Sequence, residues 1–404
     1  MAKVITTELQ HSGASAANIT LDSSKNVTVA NNLTVTGAVS GGNYAGRNII
    51  INGAMQVAQR GTTTTSTGYQ TLDRWFINWG GTDESPTVAQ LALTDSDTGP
   101  WAKGFRNALQ ITNGNQTSGA GAGDDITIQT KLEAQDIANC GWDYTNTSSY
   151  ITLQFWIKSS VAQNFYGRVQ SNDGTKKNYP FETGALSANT WAKVTKTIPG
   201  VSGIQFDNNT GTGFILYLSP FEGTNNTGSG ATLNTWATFD SAARTPDNTS
   251  TWYTTNDSTY AITGVQLEVG DVATDFEHKS FRAELQDCLR YFEKSYPYGN
   301  PPGDTSHDGA YQCASRQVTG SNTTGRTDGA RITYRVHKRN NPTATIYDLA
   351  GNSGKLYRHS YGSAGANDQS ADAGNWSDTG FNMYSEGTHS ATGWQAHWIA
   401  DSDL

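Results

Sequence analysis

The sequence predicts an all-β protein, and three observations carry that expectation. Short runs alternate apolar and polar residues with a period of two, as where Ile151, Leu153, Phe155 and Ile157 interleave with Thr152, Gln154, Trp156 and Lys158. Turn-forming Gly, Asn, Asp and Ser separate the runs, and 43 of the 404 residues are glycine. Helical periodicity is confined to residues 280–294, where Phe281, Leu285, Cys288 and Phe292 recur at spacings of four, three and four.

Composition narrows the function classes. Charged residues make up 16% of the chain, well under the globular average of about 25%, so hydroxyls and amides must solvate much of the surface. The net charge of −9 argues against nucleic acid as a partner, since that role needs a basic stripe to displace counterions. No apolar run approaches the roughly 20 residues that span a bilayer, so no membrane insertion is expected. Met1-Ala2-Lys3-Val4-Ile5 lacks a signal-peptide core, which implies synthesis in a cytoplasm, with release by lysis if the protein acts outside the cell. Cys140, Cys288 and Cys313 are odd in number and widely spaced, the pattern of unpaired thiols and not of a disulfide framework or a thiolate metal site.

Four regions follow in order. Residues 1–45 hold Ile19-Thr20-Leu21, Val27-Thr28-Val29 and Leu33-Thr34-Val35, short strands with too little apolar area to offset their own ordering. Copies of the segment from other chains would close that deficit. Residues 46–279 read as an antiparallel jelly-roll sandwich of many short strands. Near its end Tyr260 and Ile262 share one phase while Val265, Leu267 and Val269 take the other, so a β-bulge is expected at Gly264. Residues 280–304 comprise the helix, capped by Ser280, and a Pro/Gly-rich connector. Residues 305–404 read as a sandwich-like β-domain with Ile332, Tyr334 and Val336 on one strand and Trp394 and Trp398 facing its core. Glycine-rich stretches at 351–354, 360–365 and 371–380 are expected to be surface loops.

Several stretches resemble the tail-fibre and receptor-binding proteins of tailed bacteriophages, particularly those of marine cyanobacterial phages. They include Leu21-Asp22-Ser23-Ser24-Lys25-Asn26-Val27-Thr28-Val29; Gly46-Arg47-Asn48-Ile49-Ile50-Ile51-Asn52-Gly53-Ala54-Met55-Gln56-Val57-Ala58-Gln59-Arg60-Gly61 with Leu72-Asp73-Arg74-Trp75-Phe76; Ile262-Thr263-Gly264-Val265-Gln266-Leu267-Glu268 with Asp275-Phe276-Glu277; and the terminal His397-Trp398-Ile399-Ala400-Asp401-Ser402-Asp403-Leu404. The resemblance implies a homotrimeric virion fibre, attached to a tail or baseplate protein through residues 1–45. Its sandwich would resemble a carbohydrate-binding module, and its C-terminal tip would adhere to a host surface glycan such as lipopolysaccharide. The alternatives are a ligand-free capsid or baseplate decoration, or a polysaccharide depolymerase.

Glycan recognition needs aromatic faces to stack on sugar rings and planar polar groups for the hydroxyls. Tyr357, His359, Tyr361 and Trp376, in or beside the glycine-rich stretches of the last domain, are therefore the expected ligand-binding residues. Trp252 and Tyr253 are a second candidate pair. No enzyme chemistry and no cofactor are expected: Asp83-Glu84 and Asp124-Asp125 read as turn acids, and Asp95-Ser96-Asp97-Thr98-Gly99 fails the calcium-loop spacing, with Arg106 where the closing acid belongs. A structural calcium of the kind carbohydrate modules carry would look to Asp271 or Asp275, although Gly264 and Val265 hold positions where further ligands belong. His389 and His397 are a weak candidate metal pair across a fibre axis. Arg331, Arg335, Lys338 and Arg339 read as a solvated basic sheet face, with acidic sugar as the sharper alternative.

Overall fold

The computed structural model describes residues 8–10, 15–17, 19–21, 23, 27–29, 46–314, 326–360, 363–386 and 391–404. The chain divides into two compact units, residues 1–45 and residues 46–404. In the first, β1 (Glu8–Leu9), β2 (Ile19–Leu21) and β3 (Val27–Val29) form an antiparallel sheet in that order. Leu9 lies opposite Ile19, and Ile19 opposite Val29, so the apolar residues form a row on one face. Leu9 and Val27 remain exposed. The third repeat, 33–35, lies outside the described residues.

The second unit opens with β4 (Thr63–Thr64), β5 (Phe76–Gly80), β6 (Thr87–Ala92), β7 (Asn107–Thr112), β8 (Asp125–Glu133), β9 (Tyr150–Ser159), β10 (Asn164–Ser171), β11 (Lys177–Ala185), β12 (Ala192–Pro199), β13 (Thr212–Glu222), β14 (Ala237–Thr238) and β15 (Thr259–Val269). They make two six-stranded sheets, β14-β11-β10-β13-β8-β5 and β12-β9-β15-β7-β6-β4. The alternating residues read from the sequence line the space between the sheets: Ile151, Leu153, Phe155 and Ile157 of β9 face Phe214, Leu216 and Leu218 of β13, all buried in one core. Two short helices, α1 (Ala134–Ala138) and α2 (Thr251–Thr254), add Ile137, Trp252 and Tyr253 to this core. In β15 the pairing with β9 slips between Thr263 and Gln266, the bulge expected at Gly264.

The third helix, α3 (Phe281–Leu289), is shorter than its periodicity implies. The Ser280 hydroxyl accepts from the Ala283 amide at 3.3 Å. Glu284, Cys288 and Leu289 form the buried face, whereas Phe281 is exposed. Tyr291 and Phe292 are then buried in succession, and the backbone of residues 292–294 pairs antiparallel with residues 399–401. Phe292 accordingly begins β16 (Phe292–Lys294).

The remaining strands are β17 (Tyr311–Ala314), β18 (Arg326–Thr333), β19 (Thr343–Tyr347), β20 (Lys355–Ser360), β21 (Ser363–Ser377), β22 (Gly380–Glu386) and β23 (Ala391–Asp401). With β16 they form one eight-stranded network ordered β16-β23-β20-β21-β22-β18, in which β17 and β19 also pair with β23. The network wraps its own core, bringing Ile332, Phe381 and Met383 from one limb against Ile346, Leu356, Trp394 and Trp398 from the other. Residues 371–377, expected as loop, are strand; only Asp378 and Thr379 turn. Ladder bonds are made by backbone, and the half-buried Ala371 and buried Ala373 pack inward.

Residues 46–76 join the sandwich, α3 and the last sheet. Asn52 is fully buried: its side chain accepts from the Gln56 and Val57 amides (2.9 and 3.0 Å) and donates to the Val57 and Asp73 carbonyls (2.8 and 2.9 Å). Its own amide donates to Glu284 and its carbonyl accepts from Trp75 Nε1. With φ at +59°, Asn52 also occupies the left-handed region that Asn tolerates and Ala does not. Asn52→Ala is expected to cost about 3–4 kcal/mol, through orphaned buried groups and backbone strain. The loss is read from the midpoint of urea unfolding at unchanged slope.

Candidate functional site

The outward residues of β9 begin the site. Across three neighbouring strands Lys193 of β12, Trp156 of β9 and Thr263 of β15 stand in register, and in a second row Thr195, Gln154 and Gln266 do the same. The bulge separates these rows on β15. At Gly264 φ is +63°, and an added Cβ would lie 2.6 Å from the Phe105 ring. Glycine there lets Phe105 lie flat against the strand.

After β15 the chain returns across this face, held by a polar clasp. Glu268 accepts from the Thr274 amide (2.9 Å) and hydroxyl (2.6 Å), from Gln266 Nε2 (2.9 Å) and from Gln154 Nε2 (3.4 Å). Arg47 donates to Thr274 Oγ1 and to the Asp275 carbonyl. The Glu277 amide donates to Gln266 Oε1 at 2.8 Å, while its carboxylate accepts from the Gly46 and Asn48 amides. Partial burial alone would raise the Glu277 carboxyl; those amides and Lys279 more than offset it and hold it below the ordinary range. Glu268 is thus filled by protein donors, and among the described residues no three His, Cys, Asp or Glu side chains converge as metal ligands.

The clasp presents Phe276 and His278 to Phe105. The ring centroids lie 4.8 Å apart for Phe105 and Phe276, 5.0 Å for Phe105 and His278, and 4.9 Å for Phe276 and His278. His278 Nε2 donates to the Lys103 carbonyl at 2.8 Å, because a carbonyl can only accept. That bond joins the clasp to the 3-10 turn Trp101–Lys103. On the far side Gly99, with φ at +102°, lies so close to Trp156 that a Cβ would sit 2.7 Å from the ring. Asp97 holds this loop down by accepting from Lys158 Nζ (2.7 Å), Trp191 Nε1 (2.9 Å) and the Thr94 amide (3.0 Å). Burial works the other way, yet these bonds bring the Asp97 carboxyl down to about 2.

Together these elements enclose a cavity of about 300 Å³ with walls of Trp156, Phe105, Phe276 and His278 and with Gln154 at its floor. Lys103, Lys193 and Asp275 stand at its rim. Flat rings beside polar and charged groups, in a pocket of this size, suit a small hydroxyl-rich ligand.

The sequence-predicted residues lie elsewhere. Tyr357 and His359 meet on the outer face of β20 with ring centroids 5.0 Å apart. Trp376 is exposed near the far end of β21, seven residues beyond Gln369, the partner of Leu356. That is about 23 Å along the strand, so the structure does not bring Trp376 to Tyr357. Tyr361 lies outside the described residues, as does His389. Trp252 and Tyr253 are fully buried in the sandwich core, which removes them as a surface site. His397 is buried, stacked on Tyr296 at 3.8 Å, with Nδ1 to Ser295 Oγ and Nε2 to the Ser306 carbonyl; both nitrogens are used, so it is no metal ligand. The basic cluster is taken up by partners within the protein, with Arg335 and Lys338 sharing Glu293. Arg331 holds the Asn375 carbonyl and Ser377, Lys338 pairs with Glu293 at 2.6 Å while buried, and Arg339 binds the carbonyls of Thr210, Ser402 and Asp403. Of the turn acids, Asp83 is engaged by Ser118 and Asp125 by Asn78.

No protein-family model matches the chain, and no curated protein matches it. Among solved structures the chain is similar to the enzymatically active domain of tailspike protein 4 from bacteriophage CBA120, at 13% identity and a TM-score of 0.28, covering 55% of this chain and 21% of that one. This chain therefore spans about a fifth of that structure's length. It is similar to the N-terminal CBM22-1-CBM22-2 tandem domain from Paenibacillus barcinonensis Xyn10C, at 12% identity and a TM-score of 0.28 over 91% of this chain and 100% of that one. A third is the N-terminal cellulose-binding domain of Cellulomonas fimi β-1,4-glucanase C, at 12% and 0.25 over 54% and 99%. At these scores the likeness does not bear on function.

The Asp97 clasp sets an acid limit on the pocket. Its folded carboxyl titrates near 2 against an ordinary 3.8; the stabilisation it gives is complete above that ordinary value and is lost as pH falls through the folded one. Amide exchange at Thr94 is expected to accelerate between those two values, and Asp97→Asn should show the faster exchange already at neutral pH.

Proposed function

We propose that the chain is a non-catalytic glycan-binding adhesin, and that the pocket beside Trp156 is its sugar site. The observation that carries this is the pocket itself: four ring systems and a glutamine amide brought together by a bulge, two close-packed glycines and a clasp. Apolar ring faces favour the C–H face of a pyranose, while the Gln154 side chain and Asp275 suit its hydroxyls. The resemblance of residues 46–76, 262–277 and 397–404 to tailed-phage fibre proteins supports a virion appendage as the setting. In that setting residues 1–45 attach the protein to tail or baseplate, and the assembly is a homotrimer whose several weak sites act by avidity.

The exposed Trp376 keeps the C-terminal sheet as a second reading for host contact. Binding of the purified full chain to immobilised polysaccharides, with reducing-end release measured in parallel, separates the possibilities. Trp156→Ala is expected to weaken binding about tenfold or more, as loss of a stacking ring does, with an unchanged unfolding midpoint as the control for folding; Trp376→Ala should leave it intact. The reverse pattern moves the site to the last sheet, and release of sugar ends overturns the non-catalytic reading.

Oligomeric state is tested by sedimentation equilibrium of the full chain. A mass three times that of the 43.4 kDa chain is expected. A monomer at every accessible concentration counts against the fibre setting.

A further inference from the structure

The pocket beside Trp156 is one of two adjoining cavities that share two walls, and together they form the candidate groove. The second cavity, of about 200 Å³, is lined like the first by Phe105 and His278. The second cavity adds Arg106 and Lys279 to the wall.

The charge along this groove is opposite to that of the chain. Acidic residues outnumber Lys and Arg by 36 to 27 overall, yet the charged lining consists of Lys103, Lys193, Arg106 and Lys279 against Asp275 alone. Lys279 is paired with Asp287 at 3.0 Å. Arg106 lies 3.7 Å over the Trp101 ring and donates to the Trp101 and Phe105 carbonyls, with no carboxylate beside it among the described residues. Lys103 and Lys193 are exposed and form no ion pair among the described residues. Three cations without carboxylate partners among the described residues therefore line the two cavities, against Asp275 as the single acid. A neutral sugar needs none of them, and exposed lysines beside an apolar pocket gain most from an anion that reaches them from within it.

We propose, resting on the glycan reading, that the groove takes an acidic oligosaccharide of at least two sugar units. One unit stacks in the Trp156 pocket, the next lies beyond His278, and acid groups face Lys103, Lys193 and Arg106. Carboxylate and sulfate share this chemistry, and the two are separated by the probes.

The full chain is titrated by calorimetry with tetragalacturonate, with its fully methyl-esterified form, and with dextran sulfate and dextran. Tetragalacturonate is expected to bind about tenfold more tightly than its ester at low ionic strength, an advantage that shrinks as salt screens the exposed charges. The double variant Lys103→Gln/Lys193→Gln should lose that advantage while binding the ester as before; both positions are exposed, so folding is spared. Preference for dextran sulfate over dextran, without preference for the uronate over its ester, assigns sulfate as the acid group. Equal affinity for every acidic and neutral pair, or an acid preference unchanged in the double variant, overturns the inference and leaves the glycan reading standing. Absence of binding by all four saccharides overturns both.

Discussion

The buried polar junction around Asn52 and Asp73 is the constraint on which the second unit depends. Asp73 accepts from the Gln59 amide (3.0 Å) and side chain (2.5 Å), and the same Gln59 side chain donates to the Phe292 carbonyl of β16. Asn52 meanwhile ties the loop to Trp75 and to Glu284 of α3. Sandwich, helix and last sheet therefore meet through buried, hydrogen-bonded side chains, and a buried group of this kind costs more to orphan than it contributes when paired. The end of the chain is held in the same way. Asp403 accepts from Arg60 and Arg74, and the Leu404 carbonyl accepts from Lys131 and Tyr69.

These charges are buried, so their worth lies in geometry more than in net stabilisation. Arg290 makes a two-point contact with Glu133 at 2.7 and 2.8 Å, and Tyr291 donates to the same carboxylate. Lys294, also buried, places its ammonium among the carbonyls of Gln59, Tyr298 and Asn300, and burial brings its pKa down to about 8. Each contact joins residues on different sheets or on the segments between them. A displaced last sheet would leave several ions unpaired at once, and the cost of one unpaired buried ion already exceeds most single packing defects. The two β-regions are thus locked as one body although each has its own apolar core.

The fold was legible where side chains alternate. The inward faces of β9 and β13, the slip at Gly264 and the core positions of Trp394 and Trp398 follow from a period of two and from residue size. Where small residues dominate, that signal disappears: residues 371–377 form a strand because backbone bonds need no large side chain, and composition alone favours loop there. The helix was overextended because Phe292 continues its spacing and equally begins a strand. The site was the least legible part. Trp156 was placed on the outward face of β9, but an outward aromatic becomes a pocket wall only when Phe105, Phe276 and His278 arrive from segments up to 173 residues apart. The one local trace was the slip at Gly264, whose glycine makes room for Phe105.

The same devices that make the pocket also make it rigid. Gly264 and Gly99 admit rings at distances that any other residue would block, so neither Phe105 nor Trp156 has room to move toward its strand or loop. The clasp fixes Phe276 and His278 through Glu268, Gln266 and Glu277, and the His278–Lys103 bond joins it to the opposing turn. A ligand therefore meets rings already ordered by folding, and the side-chain entropy that association usually costs has been offset in advance. The cations differ: Lys103 and Lys193 are exposed on flexible stems. Ring stacking should accordingly set how tightly a sugar is held, while the rim charges set which sugar approaches and how strongly salt opposes it.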